Sequence, residues 1–345
     1  MSFSQKILGW YHEHKRDLPW RSTRDPYKIW LSEIMLQQTR VAQGMPYYHK
    51  FLEAFPTVFD LANSPEEKVL KLWQGLGYYS RARNLHATAK KVVNEYQGEF
   101  PNTYKELRSL KGVGDYTASA IASICFDLPE PVVDGNVYRV LARYFGVDLP
   151  INSNKGIKYF KELAREVMDI ENIRDYNQGI MEFGAIQCAP KKPLCLLCPL
   201  NDSCVALKEG KVGILPIKEN KTKIRERYFN YVVLLDKDRK TRMEQRKERG
   251  IWQNLYQFPL VESEKELSQD EFLQRLGESN GIPSMASVNL YNDKPITHKL
   301  SHQHLHTKFW VVKTDETLSE GSSWDEIISF PVPVLIADFI QTFKI

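Results

Sequence analysis

The sequence contains no long apolar run and few cysteines. It has no stretch of about 18 consecutive apolar residues, the length that a membrane-spanning helix requires, and its polar first segment, residues 1–20, does not resemble a secretory signal. Only five of the 345 residues are cysteine, and nothing in the composition indicates a low-complexity or disordered chain. We therefore expect an intracellular globular protein that is long enough for two domains.

The chain also carries little net charge. The formal charge is +4 at pH 7, with an excess of basic residues over residues 1–226 and a slight acidic excess over residues 227–345. This distribution is compatible with a polyanionic partner, but many proteins without such a partner carry as much charge. Charge alone therefore decides little about function.

The first two-thirds of the chain reads as a series of helices. Apolar residues recur at helical spacing from Phe3 to Tyr11. Asp25 and Pro26 offer a cap and a first-turn proline for a helix that we expect to continue through Val41, and Pro46 is expected to open the next one. Short connections containing Gly or Pro separate these segments. The pattern predicts an all-α domain.

The character of the sequence changes after residue 210. Lysine and arginine surround Pro216, and the following segments 228–235 and 308–312 are aromatic and β-branched, with one helix-like segment at 270–276 between them. We predict three parts: an all-α domain (1–212), a basic linker (213–227) and a smaller α+β domain (228–345).

Four of the five cysteines are close together in the sequence, at Cys188, Cys195, Cys198 and Cys204. In an intracellular protein such a group favours metal binding over disulfides. Zinc sites usually contain paired C-x2-C units, whereas here one C-x2-C stands between longer spacings. A 4Fe–4S cluster tolerates these spacings, so iron–sulfur is favoured and zinc remains the alternative.

Three further features suggest a site. Gly112 and Gly114 lie in a turn between helical segments, where backbone N–H groups can face a phosphate; an ordinary helix–turn–helix corner is the alternative. Asp134, twenty residues later, has the position of a helix cap. Glu33 lies among Trp30, Ile34 and Leu36, an apolar setting that favours the neutral acid.

Together these motifs resemble the endonuclease III/MutY superfamily of DNA glycosylases. The resemblance is carried by the C-x6-C-x2-C-x5-C spacing, by LKGVG followed by a helix of small residues, and by SEIMLQQT around Glu33, which is similar to the MutY signature. It implies a helix-hairpin-helix domain that contacts DNA through Gly112 and Gly114. It also implies a 4Fe–4S cluster bound by the four cysteines named above.

The resemblance assigns catalytic roles to four residues. Glu33 would protonate the adenine base and later activate water, and Asp134 would stay ionised beside the sugar cation, because N-glycoside cleavage passes through an oxocarbenium-like state. Asn136 and Tyr116 would orient and shield that intermediate. Relatives that also cut the strand have a lysine where this chain has Tyr116, so the resemblance implies a monofunctional enzyme.

The resemblance also assigns residues to the DNA and to the flipped base. Gln37, Gln38 and Tyr78 match wedge elements that fill the space left by an extruded nucleotide. Trp20, Arg21 and Glu182 match positions of the adenine pocket.

The second domain resembles a Nudix fold, best over Gly250–Pro259. Nudix hydrolases need paired glutamates for magnesium, and the only adjacent pair here is Glu66–Glu67 in the other domain, so we do not expect hydrolysis of pyrophosphates. The family has a Phe-Ser-His loop that contacts 8-oxoguanine. Here Leu300 replaces the phenylalanine, while Ser301 and His302 stay in register.

The expected partner is duplex DNA that contains adenine opposite 8-oxoguanine or guanine. We expect a cytoplasmic, nucleoid-associated monomer. Two alternatives remain at this point: a bifunctional glycosylase and lyase similar to endonuclease III, and a non-catalytic DNA-binding protein on the same scaffold.

Overall fold

The computed structural model describes residues 1–219, 224–278 and 287–344. Residues 220–223 of the predicted linker lie outside the described part. The chain forms two compact units, the first made of Met1–Asn63 and Asn84–Asn220, the second of Ser64–Arg83 and Lys221–Ile345. The segment 64–83 therefore groups with the second unit, which differs from the contiguous division at residue 212 that the sequence suggested.

Helices dominate the structure up to residue 208. In chain order they are α1 Phe3–His14, α2 Pro26–Leu36, α3 Val41–Ala54, α4 Val58–Asn63, α5 Glu66–Leu72, α6 Ser80–Tyr96, α7 Tyr104–Ser109, α8 Asp115–Phe126, α9 Gly135–Phe145, α10 Asn154–Val167, α11 Ile173–Ile186 and α12 Val205–Lys208. Of these, α5 and the start of α6 belong to the second unit.

Two predicted helix boundaries are wrong, and both errors concern the junction of α2 and α3. Asp25 does cap α2 through the N–H of Tyr27, but the helix ends at Leu36, since Gln37 leaves the helical region and Gln38 is left-handed with φ 55°. Val41 therefore begins α3. Pro46 lies inside α3 and does not open it, so that helix forms without the backbone hydrogen bond that a proline cannot donate.

Helix α11 packs against α1, α8 and α9 in the first unit. Its contact with α9 is very close: a Cβ on Gly184 would lie 2.7 Å from the Cβ and the carbonyl oxygen of Asn136. Only glycine permits this approach, because any side chain there would push α9 away. The close packing fixes the backbone of α9 where its first residues follow Asp134.

The second unit is built on a mixed sheet. Its strands are β1 Arg225–Leu235, β2 Glu244–Gln245, β3 Tyr256–Gln257, β4 Leu260–Ser263, β5 Ser287–Leu290, β6 Ile296–Lys299 and β7 Gln303–Lys313, and its later helices are α13 Gln269–Gly277, α14 Trp324–Ser329 and α15 Val334–Thr342. The sheet order is β4-β1-β7-β5, with β6 also paired to β7, while β2 and β3 form a separate ribbon.

Strands β1 and β7 are parallel along their whole length, and the other pairs in this sheet are antiparallel. One face buries a core in which Phe272 of α13 stacks on Trp310 of β7, with ring centroids 4.2 Å apart. The predicted fold class, a helical domain followed by an α+β domain, is confirmed. Among the described residues, no helix is long and apolar enough to cross a membrane.

Candidate active site

Glu33 is a buried carboxyl group on α2. Its side chain is only 8% exposed, and its helical neighbours Trp30 and Ile34 are buried as well. Burial is the main cause that raises the pKa of Glu33 to about 7, and the charge of Asp134 raises it further, while a hydrogen bond with Tyr116 lowers it. Glu33 is therefore a carboxyl group that can hold its proton near neutral pH.

Asp134 lies nearby in a different environment. As the cap of α9 it accepts the backbone N–H groups of Asn136 at 2.9 Å and Val137 at 2.8 Å, and its other oxygen accepts the Asn136 side-chain amide at 2.7 Å. Burial outweighs these three donors and raises the pKa of Asp134 above its usual value, while the donors limit the rise. Each donor favours the charged carboxylate, as does the N-terminus of α9.

Tyr116 is hydrogen-bonded to Glu33 and lies close enough to Asp134 to feel its charge. It is the second residue of α8, its hydroxyl donates to the Met181 sulfur at 3.2 Å, and it also bonds to Glu33. Burial and the charges of Glu33 and Asp134 raise the pKa of Tyr116 well above its usual value. The phenol therefore stays neutral and keeps an O–H that it can donate.

Of the predicted adenine-pocket residues, Arg21 and Glu182 contact each other. The Glu182 carboxylate is 1% exposed and accepts two bonds from Arg21, at 2.9 and 2.6 Å, and three from Arg16. Burial would raise the pKa of Glu182, but the two arginines outweigh it and lower the pKa to about 2. Trp20 is buried and meets the ring of Tyr48 edge-on at 5.2 Å.

The hairpin between α7 and α8 has the predicted turn. Gly112 has φ 80°, and a Cβ there would lie 2.8 Å from Asn84, so the turn requires glycine. Gly114 precedes α8 as its cap, and a Cβ there would meet nothing within 4 Å. Open space beside Gly114 leaves room for another molecule at the start of α8.

Two of the three predicted wedge residues have unusual backbone conformations. Gln38 (φ 55°) and Tyr78 (φ 50°) are both left-handed, which is uncommon outside glycine, and strain of this kind is concentrated at functional sites. Gln37 donates to the Thr117 hydroxyl at 3.3 Å. The Tyr78 side chain is 45% exposed, whereas that of Tyr79 is buried, so Tyr78 is the tyrosine of this pair that is available to a ligand.

The loop between β6 and β7 borders a cavity of about 320 Å³ within the second unit. Ser301 and His302 line it together with Leu300, Tyr78 and Trp252. The Ser301 hydroxyl lies 3.3 Å from the His302 ring, and both side chains are exposed. Leu300, which the resemblance aligns with a phenylalanine, forms part of the wall. We call this cavity the reader pocket.

The four cysteines of the predicted cluster line one small cavity near α12, together with Arg143. One guanidinium nitrogen of Arg143 lies 3.4 Å from the Cys188 sulfur. Burial raises the pKa of Cys198 to about 11, and the other three thiols add to this. Among the described residues, no group of three or more His, Cys, Asp or Glu side chains is arranged to hold a single metal ion.

Two arginines that the sequence analysis did not single out belong to these sites. Arg16 is the second guanidinium bound to Glu182. Arg139 donates to the Asn136 side chain at 2.9 Å and to the Cys188 carbonyl at 2.7 Å, so it joins the Asp134 region to the cysteine loop. The sequence around each arginine matches no motif that would indicate its partner. Only the folded structure brings these arginines to Glu182, Asn136 and Cys188.

Comparisons with known proteins place this geometry in a family. Residues 31–166 match the family model of the HhH-GPD superfamily base excision DNA repair protein, and residues 230–342 match that of the NUDIX domain. The adenine DNA glycosylase of Buchnera aphidicola subsp. Baizongia pistaciae is 35% identical over 96% of this chain and 94% of its own length. The chain belongs to the adenine DNA glycosylase family. The Homo sapiens adenine DNA glycosylase is 44% identical over 59% of this chain and 39% of its own.

Solved structures cover the first part of this glycosylase. A thermostable thymine-DNA glycosylase is 36% identical, with a TM-score of 0.56 over 60% of this chain and 95% of that one. A non-covalent endonuclease III–DNA complex has a TM-score of 0.52 at 23% identity. This similarity shows that the two proteins share a fold. The predicted family and enzyme class are confirmed: the chain is an adenine DNA glycosylase of base excision repair that acts on duplex DNA.

Proposed function

We propose that this enzyme removes adenine paired with 8-oxoguanine or guanine, that it flips the base out of the duplex, and that it leaves an abasic site uncut. The observation that carries the proposal is the pair of carboxyl groups beside Tyr116, the buried Glu33 and the half-buried Asp134. Burial raises the pKa of Glu33 to about 7, whereas at Asp134 three N–H donors offset part of the effect of burial. Glu33 can therefore serve as the acid of this site, and the hydrogen-bonded Asp134 as its anion.

In the proposed reaction Glu33 transfers its proton to the adenine ring as the bond between the sugar and the base breaks. The electron pair of that bond leaves with the base, and positive charge develops on the sugar. Ionised Asp134 stabilises this charge, and Asn136 holds the carboxylate in place. Water then adds to the sugar carbon and gives a proton to Glu33, which restores the acid for the next turnover.

The proposal of a monofunctional enzyme depends on Tyr116. A strand-cutting glycosylase needs an amine that forms a Schiff base with the sugar, and a phenol cannot form one. The raised pKa of Tyr116 keeps it neutral, which suits a hydrogen-bond donor that shields the intermediate.

Base flipping would use the residues with left-handed backbones. Extrusion of a nucleotide costs a few kcal/mol, and stacking of an aromatic ring on a base recovers about 1–3 kcal/mol. We propose that Tyr78 stacks beside the orphan base and that Gln37 and Gln38 enter the duplex at the space left by adenine. Gly112 and Gly114 would bind backbone phosphate through their N–H groups.

We propose that Arg21 and Trp20 form part of the adenine pocket and that Glu182 acts through Arg21. All the bonds that the Glu182 carboxylate accepts come from arginines, so it serves as a positioning residue rather than a direct acceptor from adenine. The opposite base would be read in the reader pocket, where the Ser301 hydroxyl and the His302 ring offer hydrogen bonds to 8-oxoguanine.

We propose a 4Fe–4S cluster on Cys188, Cys195, Cys198 and Cys204. Four thiolates in one cavity repel each other unless a cationic centre neutralises them, and Arg143 adds positive charge at Cys188. Zinc needs four sulfurs within about 2.3 Å of one ion, whereas a cluster binds each thiolate at a different iron.

Analysis of the purified protein should find about four irons and four sulfides per chain; stoichiometric zinc instead would contradict the proposal.

The function is tested by single-turnover base release from four duplexes: adenine opposite 8-oxoguanine, guanine or thymine, and thymine opposite guanine. We expect release of adenine alone, fastest opposite 8-oxoguanine, with strand breaks only after alkali. In Ser301→Ala the preference for 8-oxoguanine over guanine should shrink. Strand cleavage without alkali would instead support the lyase, and no release with intact binding would support a non-catalytic DNA-binding protein.

A further inference from the structure

A second, larger cavity lies in the second unit, at the carboxyl ends of the parallel strands β1 and β7. It measures about 590 Å³, and Leu235 at the end of β1 and Lys313 at the end of β7 both line it. Small-molecule sites typically measure roughly 300–1,000 Å³ and often lie outside the carboxyl ends of parallel strands. Both its size and its place in the sheet suit a ligand.

Basic side chains dominate the charge of this cavity. Lys237, Arg239, Lys313 and Lys344 line it, and within the described part of the chain none of them has a side-chain hydrogen bond or an ion pair. Cations that no carboxylate neutralises attract an anionic ligand. The arrangement therefore favours a ligand that carries several negative charges.

One of the two acidic residues that line this cavity, Asp236, is hydrogen-bonded to the backbone. Asp236 is 5% exposed, and its carboxylate accepts the backbone N–H groups of Asp238, Lys240 and Leu318 at 2.8 to 3.1 Å. These bonds tie the loop after β1 to the loop after β7. Asp236 therefore fixes the backbone that bears Lys237 and Arg239 rather than opposing an anion.

An aromatic wall completes the cavity. Tyr291 is 42% exposed and meets Phe343 at 5.6 Å and Phe339 at 5.0 Å, both edge-on. These contacts hold the exposed ring in one orientation, so a planar group can stack on it with little loss of freedom. Cations beside a fixed aromatic face suit a phosphorylated molecule with a ring.

We propose that this cavity binds a free mononucleotide, with its phosphates at Arg239 and Lys313 and its base on Tyr291. The cavity is concave, which suits a compact ligand rather than a continuous chain of phosphates, and the acidic Asp315 also lines it together with the four basic residues. It lies at the opposite end of β7 from Ser301, and that strand is roughly 33 Å long at 3.3 Å per residue. The site is therefore separate from the reader pocket.

Titration calorimetry of the full-length enzyme tests the proposal, with ATP, inorganic triphosphate and a short oligothymidylate as probes. We expect saturable binding of ATP, and binding of triphosphate weaker by roughly tenfold because it lacks a base to stack. Equal affinity for triphosphate would overturn the role of Tyr291. If the oligothymidylate binds more tightly than ATP, and Lys313→Glu weakens that binding, the cavity is a nucleic-acid surface. That result would overturn the proposal of a mononucleotide ligand.

Variants then locate the binding. Lys313→Glu and Arg239→Glu should each lower the affinity for ATP by about tenfold or more. Tyr291→Ala should lower the affinity for ATP but leave the affinity for triphosphate unchanged. Lys247→Glu makes the same charge change on an exposed residue outside the cavity and should have no effect. Absence of ATP binding, or full affinity in Lys313→Glu with an unchanged melting temperature, would overturn the proposal.

Discussion

Replacement of Glu33 by glutamine is expected to lower the single-turnover rate of adenine release by about 10³-fold. The amide has nearly the same shape and fits the same buried position, but it has no acidic proton to transfer to the base. Binding of the duplex should persist, because the substitution removes neither a phosphate contact nor a positive charge. Single-turnover excision and a binding titration with the same adenine:8-oxoguanine duplex measure both effects.

A stability measurement checks that the Glu33 variant is folded. The pKa of Glu33 is raised from 4.5 to about 7 in the folded protein, so its protonation favours the folded state at low pH, and this contribution is lost as pH rises through about 7. We therefore expect Glu33→Gln to melt at a higher temperature than the wild type at pH 8. Exposed Glu53 on α3 is the matched control, and Glu53→Gln should retain full activity. A Glu33→Gln rate within about tenfold of wild type would rule out the assigned role.

Replacement of Asp134 by asparagine is expected to slow adenine release by about 10²–10³-fold, because a neutral amide cannot stabilise the sugar cation as a carboxylate does. The asparagine oxygen can still accept the N–H groups of Asn136 and Val137, so the cap of α9 survives. The same single-turnover assay measures the loss, and circular dichroism should show unchanged helix content.

Asp25 provides the matched control for Asp134. It also caps a helix of the first unit, through the N–H of Tyr27. Among the described residues it is hydrogen-bonded to neither Glu33 nor Tyr116. Asp25→Asn should excise adenine at the wild-type rate. An equal loss of activity in both variants would mean that Asp134 acts only as a helix cap.

The sequence predicted the fold class because each domain has its own local pattern. Helical spacing from Phe3 to Tyr11 and the β-branched segments around β1 and β7 reflect one-sided burial, which local sequence determines. The α2–α3 junction was predicted wrongly because Gln38 adopts a left-handed conformation that its residue type does not signal. The grouping of 64–83 with the second unit depends on contacts between residues far apart in sequence, which no local pattern encodes.

The site was only partly predictable. Glu33, Asp134 and Tyr116 stand out because short motifs surround them, and the structure gathers all three. The ionised state of Glu182 was not predictable. The positive charges that stabilise its carboxylate come from Arg16 and Arg21, more than 160 residues away along the chain. In the same way, the bridge by Arg139 between Asn136 and Cys188 exists only once α9 and the cysteine loop have folded together.

The pH dependence of adenine release tests the central claim most directly, that neutral Glu33 is the acid. Single-turnover rates on the adenine:8-oxoguanine duplex should fall as pH rises above about 7, where Glu33 loses its proton. In Glu33→Gln this alkaline decline should be absent from the residual activity. A wild-type rate that rises with pH through this range, or an unchanged decline in Glu33→Gln, would contradict the assignment.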